Sequence, residues 1–402
     1  VLVGVVVGID VAKEVHWAEI KIAEGGKVVS SHRVDNTPEN VSALIGEIKD
    51  VEVEHGPALV GIDILGGIAS LLQTMMLEAG LVVVHVPGLA VNRARRGTRG
   101  GENKSDPKDA KVIADQVRMR DDLRQVAATR EEDVELRLLT ARRAELVEDA
   151  SRRANRLRAL LNAIHPGLER HVEVTGKTWL HLLTRYVTPA EIRAAGRTRV
   201  LAHLRKLRWV KDTVLIRITE TAVGSAQRQR VSMPGEKVTA ELVKETAAEA
   251  LAARDRLAAL DKRIQETLDR HPDGALVASL PGMGPIMTAE FLAVTGGISR
   301  FATGDQLAAA AGLAPVLKQS GKSRHLQRAR SGDRALKRVF YQSAFCAIGH
   351  DPASTDFYRR KRAEGKNHQQ AVLALARRRV NVLHAILRKR HPYSTDYTPA
   401  AA

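Results

Sequence analysis

The chain has 402 residues, enough for two or three domains with a large core, and its 63 lysines and arginines against 46 acids leave a formal charge of +17. So cationic a polypeptide seeks a polyanion; with no apolar run near the roughly 20 residues of a spanning helix, that polyanion is nucleic acid and not a membrane. The single cysteine, Cys346, excludes an intrachain disulfide framework or cysteine zinc site and points to a cytoplasmic protein.

The apolar start, residues 1–7, has no basic leader or small-residue cleavage site and is expected to be a strand. Alternation predicts strands over 3–10, 15–22 and 27–34, joined by short turns at 12–14 and 25–26 into an antiparallel meander. A helix follows, with Thr37 as its cap, Pro38 in first position and Val41, Leu44, Ile45 and Ile48 on one face. Then come a strand over 58–64, a helix over 68–79, a strand over 81–86 and a final helix. This order matches a ribonuclease-H-like layer of sheet and helices, in which acids on the first and fourth strands and the last helix meet at one edge.

Those acids are Asp10, ending V-V-V-G-I-D, Asp63, ending A-L-V-G-I-D, and Asp106 and Asp109 in N-K-S-D-P-K-D-A-K. Spacing of three stacks the last two on one helical face. Capping accounts for them too: Ser105 or Asp106 as cap, Pro107 at the first helical position, Asp109 reaching back. Converging from two strands and a helix, however, they make a cage of hard oxygen ligands for Mg2+ or Mn2+, and two such ions about 3.5–4 Å apart suit phosphoryl transfer. Ahead of them R-A-R-R-G-T-R-G-G-E-N-K reads as a loop, either solvated or a phosphate clamp built from Arg93, Arg95, Arg96, Arg99 and Lys104.

Thr129-Arg130-Glu131-Glu132 fits a capping box opening a long helix to about residue 163, and a second long pattern runs over 238–269. The two can pack as an antiparallel hairpin or pair between subunits as a coiled coil, although Arg143 and Arg153 lie near the seam. Residues 168–235 read as an inserted helical module, whose Arg205, Lys206, Arg208 and Lys211 form a solvated face or touch phosphate. Ser279-Leu-Pro-Gly-Met-Gly-Pro fits a helix-hairpin-helix turn, with Gly282 and Gly284 permitting the bend and the next helix aiming backbone N–H groups at phosphate. Phe357-Tyr-Arg-Arg-Lys-Arg and a helix over 371–388, with Arg377, Arg378 and Arg379, supply further phosphate contacts; the tail from His391 has no packing pattern and is expected to fray.

Gly-Ile-Asp near the start, the acidic strand end before Gly66-Gly67, Asp-Pro-Lys-Asp-Ala, L-P-G-M-G-P, G-L-A-P followed by Gln-Ser-Gly, and S-G-D-R-A-L-K-R occur in that order. Together they resemble the insertion-sequence one-ten family of transposases, the DEDD transposases related to Piv invertases. The resemblance implies a RuvC-like metal domain over 1–125, long helices over 126–270, a helical serine transposase domain over 271–392 and a flexible tail over 393–402. It implies catalytic acids at Asp10, Asp63, Asp106 and Asp109, with Asp63 standing where the family has Glu and reaching one methylene less far. It places the nucleophile at Ser320, ahead of Ser323 and Ser331, in a flexible polar turn ringed by Lys318, Lys322, Arg324, Arg328 and Arg330. It further implies donor and target DNA, a structured bridge RNA as guide, and a homo-oligomeric, dimeric or tetrameric enzyme at the bacterial nucleoid. A hydrolytic junction nuclease and a non-catalytic nucleic-acid scaffold are the rival readings.

Overall fold

A computed structural model describes residues 3–97, 105–127, 130–320, 323–327, 329 and 331–394. The chain divides into two compact units, Val1–Thr129 and Arg130–Ala402. The first is built on one sheet of order β3-β2-β1-β4-β5-β6. Strands β1 (Val5–Asp10), β2 (Val15–Ile22) and β3 (Val28–Asp35) form the antiparallel meander. Helix α1 (Pro38–His55) is capped by Thr37, whose hydroxyl accepts from the Asn40 N–H, and it buries the four apolar residues that the periodicity selects. It crosses over to β4 (Ala58–Ile62), which lies parallel to β1; α2 (Ser70–Glu78) then leads to β5 (Val82–His85), parallel to β4.

Two departures follow. Residues 93–96, read as the start of a loop, form the last turn of helix α3 (Gly88–Arg96) ahead of α4 (Asp106–Met119), and a short strand β6 (Arg124–Gln125) pairs with β5. The glycines of the run, Gly97, Gly100 and Gly101, all follow Arg96, and Val91 anchors the preceding turns in the core. The sheet is covered on both faces, as its near-continuous valines and isoleucines require. Val5, Val7, Ile9, Val60 and Ile62 pack with α1 and α2, whereas Val6, Val84 and Val86 pack with Val112, Ile113 and Val117 of α4.

The second unit is organised by two long antiparallel helices, α5 (Glu131–Ile164) and α10 (Glu236–Arg270). The arginines near the seam meet acids on the facing helix: Arg143 donates to Asp261 at 2.6 Å and Arg153 to Glu249 at 3.3 Å. Thr129 lies outside the described residues; the cap position is Arg130 and no side chain caps the helix, so the capping-box expectation is not met there. Instead, Asp133 in the first turn is buried against His271, 3.0 Å away.

Between these helices, α6 (Pro166–Glu169), α7 (Lys177–Leu183), α8 (Pro189–Leu204) and α9 (Asp212–Arg228) build one core against one end of the pair. A second core forms at the other end, from α11 (Gly274–Ala278), α12 (Pro285–Thr295), α13 (Gly304–Ala310), α14 (Arg334–Ala347), α15 (Pro352–Ala363) and α16 (His368–Lys389). Strands β7 (Val316–Ser320) and β8 (Ser323–Gln327) form a hairpin within this otherwise helical part. The tail does not fray at its start: the Tyr393 N–H donates to Ser279 Oγ at 2.9 Å, and its hydroxyl lies 3.2 Å from Asp351 Oδ1. No helix among the described residues is long and apolar enough to cross a membrane.

Buried histidines give the fold a pH dependence of definite sign. His165 is fully buried, with its two ring nitrogens 3.0 Å from the Val187 carbonyl and 3.0 Å from Ser225 Oγ. Burial pushes its imidazolium pKa down, and does the same to His203 and His16. The unfolded chain therefore binds protons that the fold excludes, so stability is complete above about pH 6.5 and is lost as pH falls below it. Urea denaturation at pH 7.5 and 5.5 is expected to show a lower midpoint at 5.5, with the difference reduced in His165→Gln; equal midpoints would show that the fold accommodates these rings charged.

Candidate active site

The parallel register pairs Gly8 with Gly61 and Ile9 with Ile62, so Asp10 and Asp63 fall side by side one step beyond, at the strand ends. Side chains alternate across a sheet. Ile9 and Ile62 are buried against α1 and α2, which turns Gly8, Asp10, Gly61 and Asp63 to the face that α4 covers. A Cβ on Gly8 would lie 2.2 Å from the Ala110 carbonyl oxygen and 2.2 Å from the Ala114 nitrogen; one on Gly61 would lie 2.3 Å from Val117 Cγ2. The glycine two residues before each aspartate thus lets α4 lie directly on the strand backbone, carrying Asp109 on its first turn. A second fastening is the buried Lys21, whose Nζ reaches Asp115 of α4 at 2.6 Å and Glu19 at 3.0 Å.

Asp63 accepts from the Val11 N–H at 3.3 Å, yet burial holds its carboxyl above the usual carboxylate range, and the negative charge of Asp109 pushes it the same way. Asp109 is itself buried, and Arg95 Nη1 lies 2.7 Å from both of its oxygens. Asp106, one turn earlier, is exposed. The capping reading of these residues is overturned: Ser105 occupies the cap position without a side-chain bond, and the Asp109 carboxylate turns to Arg95 rather than back to the helix start. The expected phosphate clamp changes as well. Arg95 faces inward, Arg93 and Arg96 are exposed on the last turn of α3, and Arg99 and Lys104 lie outside the described residues.

Among the described residues no three acidic, histidine or cysteine side chains are arranged to hold a metal ion as they stand. The donor set nevertheless fits a hard divalent cation: these are carboxylates whose mutual repulsion a positive charge relieves, and Arg95 supplies such a charge to Asp109. Arg95→Ala should therefore tighten Mn2+ binding by on the order of tenfold, the effect of one nearby unit charge. Isothermal titration at constant ionic strength measures this, and weaker binding would show that Arg95 orders Asp109 for the ion instead of competing with it.

In the second unit Gly282 has φ +80°, and a Cβ there would lie 2.6 Å from the Ser343 carbonyl, so the 279–284 turn packs directly on α14. Arg379, expected at phosphate, is instead buried beneath this turn. It donates to the Pro281 carbonyl and to Ser343 Oγ, and burial pulls its guanidinium down to about 10. Arg377 pairs with Asp305. Gly284 is the cap residue of α12.

Ser320 ends β7 opposite Ser323, with Gln319 opposite Arg324 and Lys318 opposite His325, so its backbone belongs to a hairpin and not to an irregular turn. The cause is strand patterning on both sides of Gly321-Lys322. Lys318 and Arg324 are exposed; Lys322, Arg328 and Arg330 lie outside the described residues. The Arg95–Asp109 pair was not read from sequence, and neither was the role of the glycines, although Gly-Ile-Asp occurring twice carried that signal.

Carboxylates at adjacent strand ends in a chain of charge +17 fit the class of proteins that process nucleic acid. Residues 7–166 match the profile of a family described as "Transposase", and residues 274–359 that of "Transposase IS116/IS110/IS902 family". The 42 kDa protein of insertion element IS900 from Mycobacterium paratuberculosis is 41% identical over 98% of both chains. The 44.8 kDa protein of insertion element IS116 from Streptomyces clavuligerus is 40% identical over 96% of each. A pilin gene-inverting protein of Moraxella lacunata is 31% identical over 35% of this chain and 45% of its own. Among solved structures, Thermus thermophilus RuvC bound to a Holliday junction is 18% identical, covers 30% of this chain and 99% of that one, and has a TM-score of 0.24. The chain belongs to the IS116/IS110/IS902 family of transposases, enzymes of DNA cleavage and rejoining.

Proposed function

We propose that the protein recombines an insertion sequence with target DNA by a serine mechanism, under the guidance of a bridge RNA. The observation that carries the reading is the seating of Asp109 of α4 on two adjacent strand ends bearing Asp10 and Asp63, through glycines that leave no room for a side chain. Asp10, Asp63 and Asp109, with Asp106 at the helix start, would hold Mg2+ or Mn2+ within a RuvC-like domain. Bound there, the metal supplies charge stabilisation for phosphoryl transfer. Ser320, at the tip of its hairpin, attacks the scissile phosphate; the P–O bond to one strand end breaks and that end leaves as a deoxyribose hydroxyl that takes up the serine proton, while the other end stays on the enzyme as a phosphoserine ester. Attack of a strand-end hydroxyl on that ester then releases the serine, so the cut strand rejoins without ATP. Lys318 and Arg324, exposed on the paired strands, meet the phosphate charge, and the cationic surface carries DNA and RNA backbone. The enzyme works as an oligomer in the bacterial cytoplasm.

Denaturing electrophoresis of the protein with labelled donor DNA and the RNA that co-purifies with it tests the reading. A covalent protein–DNA adduct is the expected result. Cleavage without an adduct would establish the hydrolytic nuclease instead, and binding without cleavage the scaffold.

A further inference from the structure

Aromatic residues make up 3% of this chain, so an aromatic ring left in water calls for a reason. Phe345 on α14 is 54% exposed. Its ring stands edge-to-face with His368 at 6.0 Å, and His368 stands edge-to-face with Tyr358 at 5.8 Å. The Tyr358 hydroxyl lies 2.9 Å from His368 Nδ1, which ties the two rings together. A row of three aromatic groups therefore crosses from α14 over the start of α16 to α15, and Phe345 is its exposed end.

The row is bordered by positive charge. Arg359-Arg360-Lys361-Arg362 follows Tyr358 directly, and Lys366 precedes the cap of α16; between 359 and 366 the only carboxylate is Glu364, shared by Lys361 at 2.8 Å and Lys366 at 3.3 Å. Arg362 donates to the Lys366 carbonyl at 2.8 Å, which sets the guanidinium beside the loop that delivers His368. Behind Tyr358, Phe357 is faced by Arg360 at 5.2 Å and Arg378 at 5.1 Å.

We propose that this face of α14, α15 and the start of α16 is a stacking platform for an unpaired strand of DNA, with Phe345 taking a base face and Arg362 and Lys366 following the backbone. Duplex DNA presents phosphates but keeps its base faces stacked inside, so it would satisfy the cations and leave the ring in water. An unpaired strand satisfies both, since any base has a face for an aromatic ring and every nucleotide a phosphate. The choice of DNA rests on the recombinase reading, in which strands are opened for cutting and rejoining.

The test is fluorescence anisotropy of full-length protein with a 20-mer of oligothymidine, the same length of duplex and a 20-mer of oligouridine, each across a series of salt concentrations. Phe345→Ala is expected to weaken oligothymidine binding about tenfold, the effect of losing one base stack, with duplex binding and the salt slope unchanged. Phe345→Trp should restore affinity. Arg362→Ala with Lys366→Ala should lower the slope of log affinity against log salt on oligothymidine by about 1.4, roughly 0.7 per phosphate contact on a single strand. Unchanged oligothymidine affinity in Phe345→Ala would overturn the platform and leave the recombinase reading standing. So would equal loss on duplex, tighter binding to oligouridine, or dissociation of an oligomer in place of DNA release. Failure of the unsubstituted protein to bind any DNA would overturn both.

Discussion

Ser320→Ala is expected to abolish the covalent protein–DNA adduct and to lower recombination by on the order of 10^4-fold or more, as loss of a nucleophile does elsewhere. Binding of DNA and RNA should survive, because the change removes one hydroxyl from a chain of charge +17. The hairpin should survive as well, since Ser320 and Ser323 pair through their backbones and alanine keeps those groups. Mixing Ser320→Ala with Asp10→Asn distinguishes two arrangements of the site. Recovery of activity in the mixture requires that one subunit's serine serve another subunit's acids; no recovery places both in one chain. An adduct that persists in Ser320→Ala moves the nucleophile elsewhere, with Ser323, its partner across the hairpin, the next to substitute.

Gly8→Ala is expected to cost both stability and activity without touching any chemical group. The added methyl would sit 2.2 Å from both the Ala110 carbonyl oxygen and the Ala114 nitrogen, backbone atoms that cannot rotate aside. Helix α4 must then lift by about an ångström, at about 1–3 kcal/mol of stability for overpacking and roughly a hundredfold in rate for a misplaced catalytic group. Gly46→Ala is the control: it lies within α1 with nothing within 4 Å of the new methyl, and should be neutral or stabilising by about 0.5–1 kcal/mol. Thermal denaturation and strand cleavage measured on the two variants and on Asp10→Asn separate geometry from chemistry. Asp10→Asn should lose cleavage with little change in melting point, whereas Gly8→Ala should lower both. A Gly8→Ala protein that cleaves normally would show that the contact of α4 with β1 does not set the site.

The local patterns were legible because each rests on neighbours in sequence. Strand alternation gave β1 to β3, the i, i+3, i+4 spacing gave α1 and both long helices, and Gly-Ile-Asp occurring twice pointed to acids at two strand ends. Charge pointed to a polyanion, and the lack of an apolar run as long as a spanning helix favoured nucleic acid over a membrane. What the sequence did not reveal depends on residues far apart in the chain. Arg95 looked like one more cation in a basic loop until folding set it against Asp109, where a buried carboxylate needs a counter-charge. Arg379 looked like a phosphate ligand in an arginine run until the packing of α14 and the Pro281 turn enclosed it, and Tyr393 looked like loose tail until Ser279 and Asp351 met it. A periodic pattern states which face of an element avoids water; it does not state which partner fills the space opposite. That partner, and with it whether an arginine binds a phosphate or a carboxylate of its own chain, is decided only when the elements pack.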